Sequence, residues 1–198
     1  MFEGITAHMA GRYFSLPNNW MVLVKPESYT NRPIKYLEIG AHCGVNIICV
    51  AASYGVHPDS ELYAVDPWED YDDYPEYKNL QQSNYEAYKT NVGKFAGLST
   101  KIRERKGYSH EIIPTFPNEY FDIIYVDGNH EPEYVLEDGV LGFRKLKKGG
   151  IMIFDDYNYL GLDCTKRGVD AFLTAYRDRI KYLGFYGGQI FLQKLEDK

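Results

Sequence analysis

Residues 36–44 read Tyr36-Leu37-Glu38-Ile39-Gly40-Ala41-His42-Cys43-Gly44, an apolar run that changes into a glycine-rich segment. The pattern predicts a buried strand and then a tight turn, because glycine adopts the backbone conformations that a turn beside a ligand needs. A helix is expected to begin near Gly44, with its free amides facing that ligand. Asp66 ends the next predicted strand, at the place where a doubly wound sheet holds a ribose. The sequence therefore predicts a site for an adenosine-containing cofactor.

The remainder of the chain alternates strand and helix patterns. Strands are predicted at 35–40, 61–66, 101–106, 121–126, 150–154, about 180–185 and 189–194, and helices at 44–55, 76–96, 132–147 and 166–178, with a helical turn near 110–115. This alternation predicts a Rossmann-like α/β fold whose doubly wound, seven-stranded sheet is mostly parallel. Gly187-Gly188 predicts a hairpin, and hence an antiparallel strand, near the C-terminus. We expect one domain over 1–198, with an N-terminal helical segment (1–33) before the Rossmann-like core (34–198).

The composition limits the classes of protein to which the chain can belong. Its 198 residues are 44% hydrophobic and carry a net charge of -6, which suits a globular domain and argues against a nucleic-acid partner. The sequence predicts neither a membrane span nor a signal peptide. Cys43, Cys49 and Cys164 lack the spacing of a metal or redox motif, so free thiols in a reducing compartment are expected. We therefore expect a cytoplasmic protein without a membrane partner, and a homo-oligomer stays open.

The spacing of the first turn bears on which cofactor is bound. The glycines at positions 40 and 44 give G-x-x-x-G, with the bulky His42 between them, whereas a dinucleotide fold uses G-x-G-x-x-G. A pyrophosphate needs bare backbone at this place, and a cofactor without phosphates does not. The turn therefore favours S-adenosylmethionine over a dinucleotide and leaves an NAD-dependent oxidoreductase as the weaker alternative.

Three aspartates follow the ends of two predicted strands. Asp127 follows the strand 121–126, and Asp155 and Asp156 follow the strand 150–154. Carboxyl ends of parallel strands meet in one crevice, where such oxygens could hold Mg²⁺ or Mn²⁺. A single aspartate at a strand end often only caps the next helix. Three together, without a basic residue beside them in the sequence, favour a metal site.

His130 lies three residues after Asp127. Because imidazole titrates near neutral pH, His130 is a candidate general base for a hydroxyl bound at the metal. The alternatives are a histidine that orients the metal and one that only lies on the surface.

Four blocks of the sequence, at 37–44, 107–114, 126–130 and 148–156, resemble a known family. They are similar to class I S-adenosylmethionine-dependent methyltransferases of the divalent-metal-dependent O-methyltransferase group, which includes catechol O-methyltransferase and macrocin-type sugar O-methyltransferases. The resemblance spans about residues 36–194. It implies an enzyme that binds S-adenosylmethionine and Mg²⁺ and methylates a hydroxyl of a small molecule or glycan.

The resemblance also implies individual roles. Glu38, Gly40 and His42 would line the methionine end of the cofactor, Asn46 its carboxylate, Asp66 its ribose, and Trp68, Ser109 and His110 its adenine. The full set implied for the cofactor is Glu38, Gly40, Ala41, His42, Asn46, Asp66, Trp68, Gly107, Tyr108, Ser109, His110 and Asp127. The set implied for the metal is Asp127, Asp155 and Asp156, with His130 as the catalytic base.

Two departures from the catechol enzymes bear on the acceptor. Asp156 stands where they have asparagine, and His130 stands where they have a lysine thought to be the base. An aliphatic hydroxyl is a weaker acid than a phenol, and a metal with a neutral imidazole can deprotonate it. The departures therefore favour a sugar hydroxyl. The acidic, aromatic stretch 68–77 suits a sugar ring or a solvated loop. A phenolic acceptor and a non-catalytic cofactor-binding subunit stay open.

Overall fold

The structure, a computed structural model, describes residues 3–6, 9–10, 17–70, 78–158 and 163–196. Seven strands form one sheet in the order β3-β2-β1-β4-β5-β7-β6. They are β1 (Lys35–Ile39), β2 (Glu61–Asp66), β3 (Ile102–Lys106), β4 (Phe121–Val126), β5 (Leu146–Phe154), β6 (Ile180–Tyr186) and β7 (Gln189–Lys194). Strands β1 to β5 pair in parallel, and β7 runs antiparallel to both β5 and β6. The predicted fold class and the antiparallel C-terminal strand are confirmed.

The helices flank this sheet near their predicted positions. They are α1 (Glu3–Thr6), α2 (Trp20–Leu23), α3 (Val45–Ala51), α4 (Gln81–Lys94), α5 (Ala96–Ser99), α6 (Ser109–Ile112), α7 (Pro132–Lys145) and α8 (Cys164–Tyr176), with short 3₁₀ turns at Pro26–Ser28 and Ile113–Thr115. The predicted helix 76–96 is interrupted at Phe95, which leaves the helical conformation at φ -109°, ψ 62°. The start of that prediction, and residues 71–77 of the stretch 68–77, lie outside the described residues.

The centre of the sheet is buried on both faces, as strand β4 shows. All six of its residues are buried, because helices cover both faces of a parallel sheet. On one face, Trp20 packs its indole against Tyr36 and Tyr125, with ring centroids 6.1 and 5.1 Å apart, and against Tyr54. On the other face, Phe154 packs against Phe172 of α8. The loops at the carboxyl ends of the strands therefore start from fixed positions.

The strand order reverses between β1 and β4, since the chain runs outward from β1 to β3 and returns to β4 on the other side of β1. Such a switch point opens a crevice at the carboxyl ends of the strands, where ligands bind in open α/β sheets. The first turn follows β1, and Asp127 follows β4. The fold therefore brings the predicted cofactor turn and the predicted metal site to one crevice.

The described part of the chain contains no helix that is both long and apolar enough to cross a membrane. Cys43 and Cys49 are buried, Cys164 is half-buried, and all three are free thiols, as predicted. The expectation of a cytoplasmic location stays a prediction.

Candidate active site

A cavity of about 960 Å³ occupies the crevice between the β1 and β4 loops. It is bordered by the segments that follow each of the five parallel strands and by the β6–β7 hairpin. Of the residues predicted for the site, the cavity is lined by Glu38, Gly40, Ala41, His42, Asn46, Asp66, Gly107, Tyr108, Ser109, His110, Asp127, His130, Asp155 and Asp156. One cavity thus contains residues of both the predicted cofactor site and the predicted metal site.

The turn after β1 requires glycine at position 40. The backbone of Gly40 has φ +84°, and a Cβ built there would lie 1.9 Å from the carbonyl oxygen of Asp127. A backbone hydrogen bond holds this approach, since the amide of Asp127 donates to Ile39 (2.9 Å), while the amide of Gly40 ties the turn to β2 by donating to Val65 (2.9 Å). The β1 and β4 loops therefore touch through bare backbone, which sets the width of the cavity floor.

Glu38 is a buried acid beneath the turn, with only 1% of its surface exposed. Its Oε2 accepts hydrogen bonds from the phenol of Tyr36 (2.6 Å) and from Nδ2 of Asn46 (2.8 Å). Burial raises the pKa of Glu38 to about 8, although these two hydrogen bonds and one from the backbone of Ile47 oppose the rise. A cationic group bound beside Glu38 would favour its ionised form, so this end of the cavity suits an ammonium group.

Asp66 organises the loop around it with both of its oxygens. Oδ2 accepts the amide of His42 (2.9 Å), and Oδ1 accepts the amide of Trp68 (2.7 Å). Burial raises the pKa of Asp66 to about 6, against these backbone hydrogen bonds. Ala41 gives this carboxylate a third backbone hydrogen bond, which leaves about one of its four lone-pair positions for a ligand hydroxyl.

Trp68 lies behind this loop and not in the cavity lining. Its indole donates to the carbonyl of His42 (2.8 Å) and packs on Tyr85 and Tyr88, with ring centroids 4.9 and 4.7 Å apart. The side chain supports His42 from within the core. Its predicted contact with adenine stays a prediction.

An acidic cluster with one imidazole lies at the other end of the cavity. Asp127, His130 and Asp156 each offer one donor atom, and these atoms all lie within 4.8 Å of one another. Nε2 of His130 is 3.4 Å from Oδ2 of Asp156 and 3.8 Å from Oδ1 of Asp127. Asp155 is more deeply buried beside them, and its Oδ2 accepts the phenol O–H of Tyr125. The converging group is thus Asp127, Asp156 and His130, two carboxylates and one nitrogen, and the predicted ligand Asp155 lies next to this group and not within it.

Burial and mutual repulsion disfavour the ionised carboxylates in this cluster. Burial and the charge of Asp155 raise the pKa of Asp127 well above its usual value. The same two causes raise the pKa of Asp156 to about 6. Burial lowers the pKa of His130, but the hydrogen bond and charge of Asp127 outweigh it, and the pKa is raised overall. A divalent cation would relieve this repulsion, so the residues fit a metal.

The adenine end proposed for the cavity is formed by the segment after β3. Tyr108 donates its phenol to Glu69 (3.1 Å) and stacks on His110, with ring centroids 5.7 Å apart. Behind Ser109 lies Asp138 of α7, a buried acid whose pKa is raised to about 7 by burial against a hydrogen bond from Ser109. The sequence analysis missed Asp138, because it lies in the middle of a helix pattern, far from any strand end.

The sequence analysis also missed part of the cavity on the metal side. Asn19, Tyr134, Phe185 and the turn Gly187-Gly188 line it there. The two glycines predicted a hairpin, but no local pattern indicated that the hairpin borders the site. Only the packing of β7 on β5 brings it there.

Comparisons with known proteins agree with this geometry. Residues 37–157 match the profile of a family described as a methyltransferase domain. Since the match covers more than half of the chain, this protein belongs to that family, and its fold is the one predicted from the resemblance to class I methyltransferases.

Two relatives match parts of the sequence. An uncharacterized protein, R132, of Acanthamoeba polyphaga mimivirus is 35% identical over 74 residues, which are 35% of this chain and 33% of that protein. O-methyltransferase hkm8 of Aspergillus hancockii is 29% identical over 131 residues, 66% of this chain and 45% of that protein. The chain thus spans less than half the length of the curated relatives it matches.

Two solved structures show the same fold. The O-methyltransferase TomG of Streptomyces achromogenes, determined in complex with SAM, superposes with a TM-score of 0.67 at 19% identity, over 93% of this chain and 82% of that chain. MycE, a methyltransferase of the mycinamycin biosynthetic pathway determined with Mg and SAH, superposes with a TM-score of 0.57 at 18% identity, over 89% of this chain and 49% of that chain.

Proposed function

We propose that this chain transfers a methyl group from S-adenosylmethionine to a hydroxyl oxygen and uses a divalent cation to do so. The observation that carries the proposal is the position of the cluster Asp127, His130 and Asp156, which lines the same cavity as the turn at Gly40. A methyl donor and an activated hydroxyl must meet within about 3–3.5 Å for an in-line transfer, and one cavity allows it.

The donor would lie along the β1 side of the cavity. Glu38 would accept the ammonium group of the methionine part, and Asp66 would accept the ribose hydroxyls. Ser109 and His110 would border the adenine. TomG was determined with SAM and MycE with SAH, and hkm8 is an O-methyltransferase. These descriptions support the same kind of donor and acceptor here.

Asp127, Asp155 and Asp156 would hold Mg²⁺ or Mn²⁺, in line with the Mg described for MycE. When bound, the ion supplies a Lewis acid that acidifies and orients an acceptor hydroxyl. Tyr125 fixes the carboxylate of Asp155 from beneath, and the buried position of this pair keeps it dry.

His130 would accept the proton of the acceptor hydroxyl. Its position between Asp127 and Asp156 also allows a second role as a nitrogen ligand of the ion. The two roles differ in what loss of the imidazole does to metal affinity.

The acceptor we propose is a sugar hydroxyl, with a phenol as the alternative. Asp156 adds one negative charge compared with the asparagine of the catechol enzymes that the sequence resembles. A more negative cluster holds the cation more firmly and suits an acceptor that does not itself bring two acidic oxygens.

Calorimetric titration of the protein with S-adenosylhomocysteine and with NAD, each with and without Mg²⁺, tests the proposal. We expect S-adenosylhomocysteine to bind and NAD not to bind. Transfer of labelled methyl groups to a panel of glycosides and catechols should then stop when a chelator removes the ion. NAD binding, or full transfer in excess chelator, contradicts the proposal.

A further inference from the structure

The cavity has an aromatic wall on the metal side. Tyr157 directly follows Asp156 in the sequence, and Phe185 lies on β6, with their ring centroids 5.7 Å apart at an interplanar angle of 61°. Both side chains line the cavity. Phe185 is 53% exposed, although it is a large apolar side chain at the end of a strand. An exposed aromatic side chain in a concave site is typical of a surface that a ligand covers.

Tyr157 is fixed in place by contacts at both ends of the residue. Its amide donates to the carbonyl of Gly188 in the hairpin (2.8 Å), and its phenol donates to Oδ1 of Asp170 on α8 (2.9 Å). Nζ of Lys166 lies 5.4 Å from the centre of the ring. Tyr157 is therefore held in place before any ligand arrives, which reduces the entropy lost on binding.

The backbone on either side of Tyr157 adopts an uncommon conformation. Asp156 has φ +51° and Asn158 has φ +62°, both in the left-handed region. Non-glycine residues in this region cluster at ligand sites, where the surrounding structure holds them. This geometry turns Asp156 toward the metal cluster while Tyr157 joins the neighbouring wall.

The rim of this wall carries an amide. Asn19 lines the cavity, and a Cβ built on Gly187 would lie 2.1 Å from its Nδ2. A glycine at position 187 is thus what lets the amide of Asn19 lie against the hairpin turn. Asn158, which directly follows Tyr157, also lines the cavity.

We propose that Tyr157, Phe185 and Asn19 form the acceptor subsite and that it binds a pyranose ring. This inference rests on the proposed methyl transfer. A pyranose has a face of C–H groups that packs on an aromatic ring and an edge of hydroxyls that needs hydrogen-bond partners. The two rings meet at an angle of 61°, and Phe185 is more than half exposed. They therefore form an open corner and not the parallel slot that would enclose a flat catechol. The open side leaves room for the remainder of a larger glycoside.

The test uses binding, so that it does not depend on turnover. Saturation-transfer NMR of the full chain with Mg²⁺ and S-adenosylhomocysteine would use methyl α-L-rhamnopyranoside, methyl α-D-mannopyranoside and methyl β-D-glucopyranoside as probes. We expect at least one to bind, with the strongest transfer to its ring C–H protons. Phe185→Ala and Tyr157→Ala should each weaken its binding about tenfold or more.

Tyr182→Ala is the matched control. Tyr182 lies on the same strand, is also 53% exposed, and is not among the residues that line the cavity. This variant should bind the pyranoside as the unmodified chain does, and all three variants should keep their affinity for S-adenosylhomocysteine. Phe185→Ala and Tyr182→Ala should also keep the midpoint of unfolding, whereas Tyr157→Ala should lower it, because Tyr157 loses its bond to Asp170. Tyr157→Phe, which keeps the ring but loses the bond to Asp170, should give an intermediate loss.

Three results overturn this inference: no pyranoside binds while S-adenosylhomocysteine does, Tyr182→Ala weakens binding as much as Phe185→Ala, or 3,4-dihydroxybenzoate binds and is unaffected by Phe185→Ala. If S-adenosylhomocysteine itself does not bind the unmodified chain, the proposed function fails, and the acceptor subsite fails with it.

Discussion

Tyr125 donates its phenol O–H to Asp155, which follows the strand next to its own. The phenol is fully buried, and Nε2 of Gln189 lies 3.4 Å from its oxygen. On the cofactor side, Tyr36 holds Glu38 in the same way. Each half of the cavity thus contains a carboxylate that is oriented by a buried tyrosine of the sheet itself.

Removal of the Tyr125 hydroxyl should loosen the metal site. In Tyr125→Phe, Asp155 loses the donor that fixes its carboxylate, and partners of metal ligands typically contribute a factor of about 10–100 in metal affinity. We expect weaker binding of Mn²⁺ by about tenfold, measured by calorimetry, with unchanged affinity for S-adenosylhomocysteine. Tyr54→Phe is the control, because it removes a buried phenol that donates to the carbonyl of Val24 instead (2.7 Å). Equal Mn²⁺ affinity in Tyr125→Phe and the unmodified chain would contradict the assignment of Asp155 to the metal.

Gly40→Ala should abolish binding of S-adenosylhomocysteine. The new methyl group would lie 1.9 Å from the backbone oxygen of Asp127, so the two loops would have to move apart. Gly93→Ala is the control, since a Cβ at this position in α4 meets nothing within 4 Å. Alanine there should raise the free energy of unfolding by about 0.5–1 kcal/mol, the usual helix preference over glycine. Retained cofactor affinity in Gly40→Ala would show that the cofactor does not use this turn.

The raised pKa of Glu38 should make the stability of the ligand-free protein depend on pH. Its pKa rises from 4.5 to about 8 on folding, so between these values the folded chain holds a proton that the unfolded chain has lost. The contribution of Glu38 to the free energy of unfolding must therefore fall as pH rises through this window. Glu38→Gln removes the titrating carboxyl. The free energy of unfolding of this variant minus that of the unmodified chain should therefore increase from pH 5 to pH 8.5. Urea unfolding across this range measures both free energies. If they change in parallel with pH, the pKa of Glu38 is not raised on folding.

His130→Ala separates the two roles of the imidazole. If His130 is the base, turnover should fall by about 10²–10⁴-fold while Mn²⁺ affinity holds, because a positioned base typically contributes that factor. A ligand role predicts that Mn²⁺ affinity falls as well. In either case S-adenosylhomocysteine should bind as before, since His130 belongs to the acidic cluster and not to the residues assigned to the cofactor. His57→Ala, at a partly exposed histidine outside the cavity lining, is the control. A His130→Ala variant with full turnover and full Mn²⁺ affinity excludes both roles.

The location of the strand-end carboxylates in one crevice could be predicted because topology and sequence agree there. Asp66, Asp127 and Asp155 each follow a strand whose apolar pattern is unmistakable, and parallel strands must bring their carboxyl ends together. Asn19 and Phe185 could not be predicted, because their place in the cavity lining depends on how β6, β7 and the N-terminal segment pack. The packing of Trp68 on Tyr85 and Tyr88 was likewise beyond local sequence pattern, because those tyrosines lie on a helix that follows it in the chain.

The position of Trp20 makes its intrinsic fluorescence sensitive to both halves of the cavity. Its indole touches both Tyr36 and Tyr125, the two phenols that orient Glu38 and Asp155. The chain has two tryptophans, and the other, Trp68, supports the cofactor loop through His42. In a Trp68→Phe background, the fluorescence of Trp20 alone would respond to occupation of either half of the cavity. Donor and cation binding could then be followed by one unlabelled signal, in real time and without an acceptor.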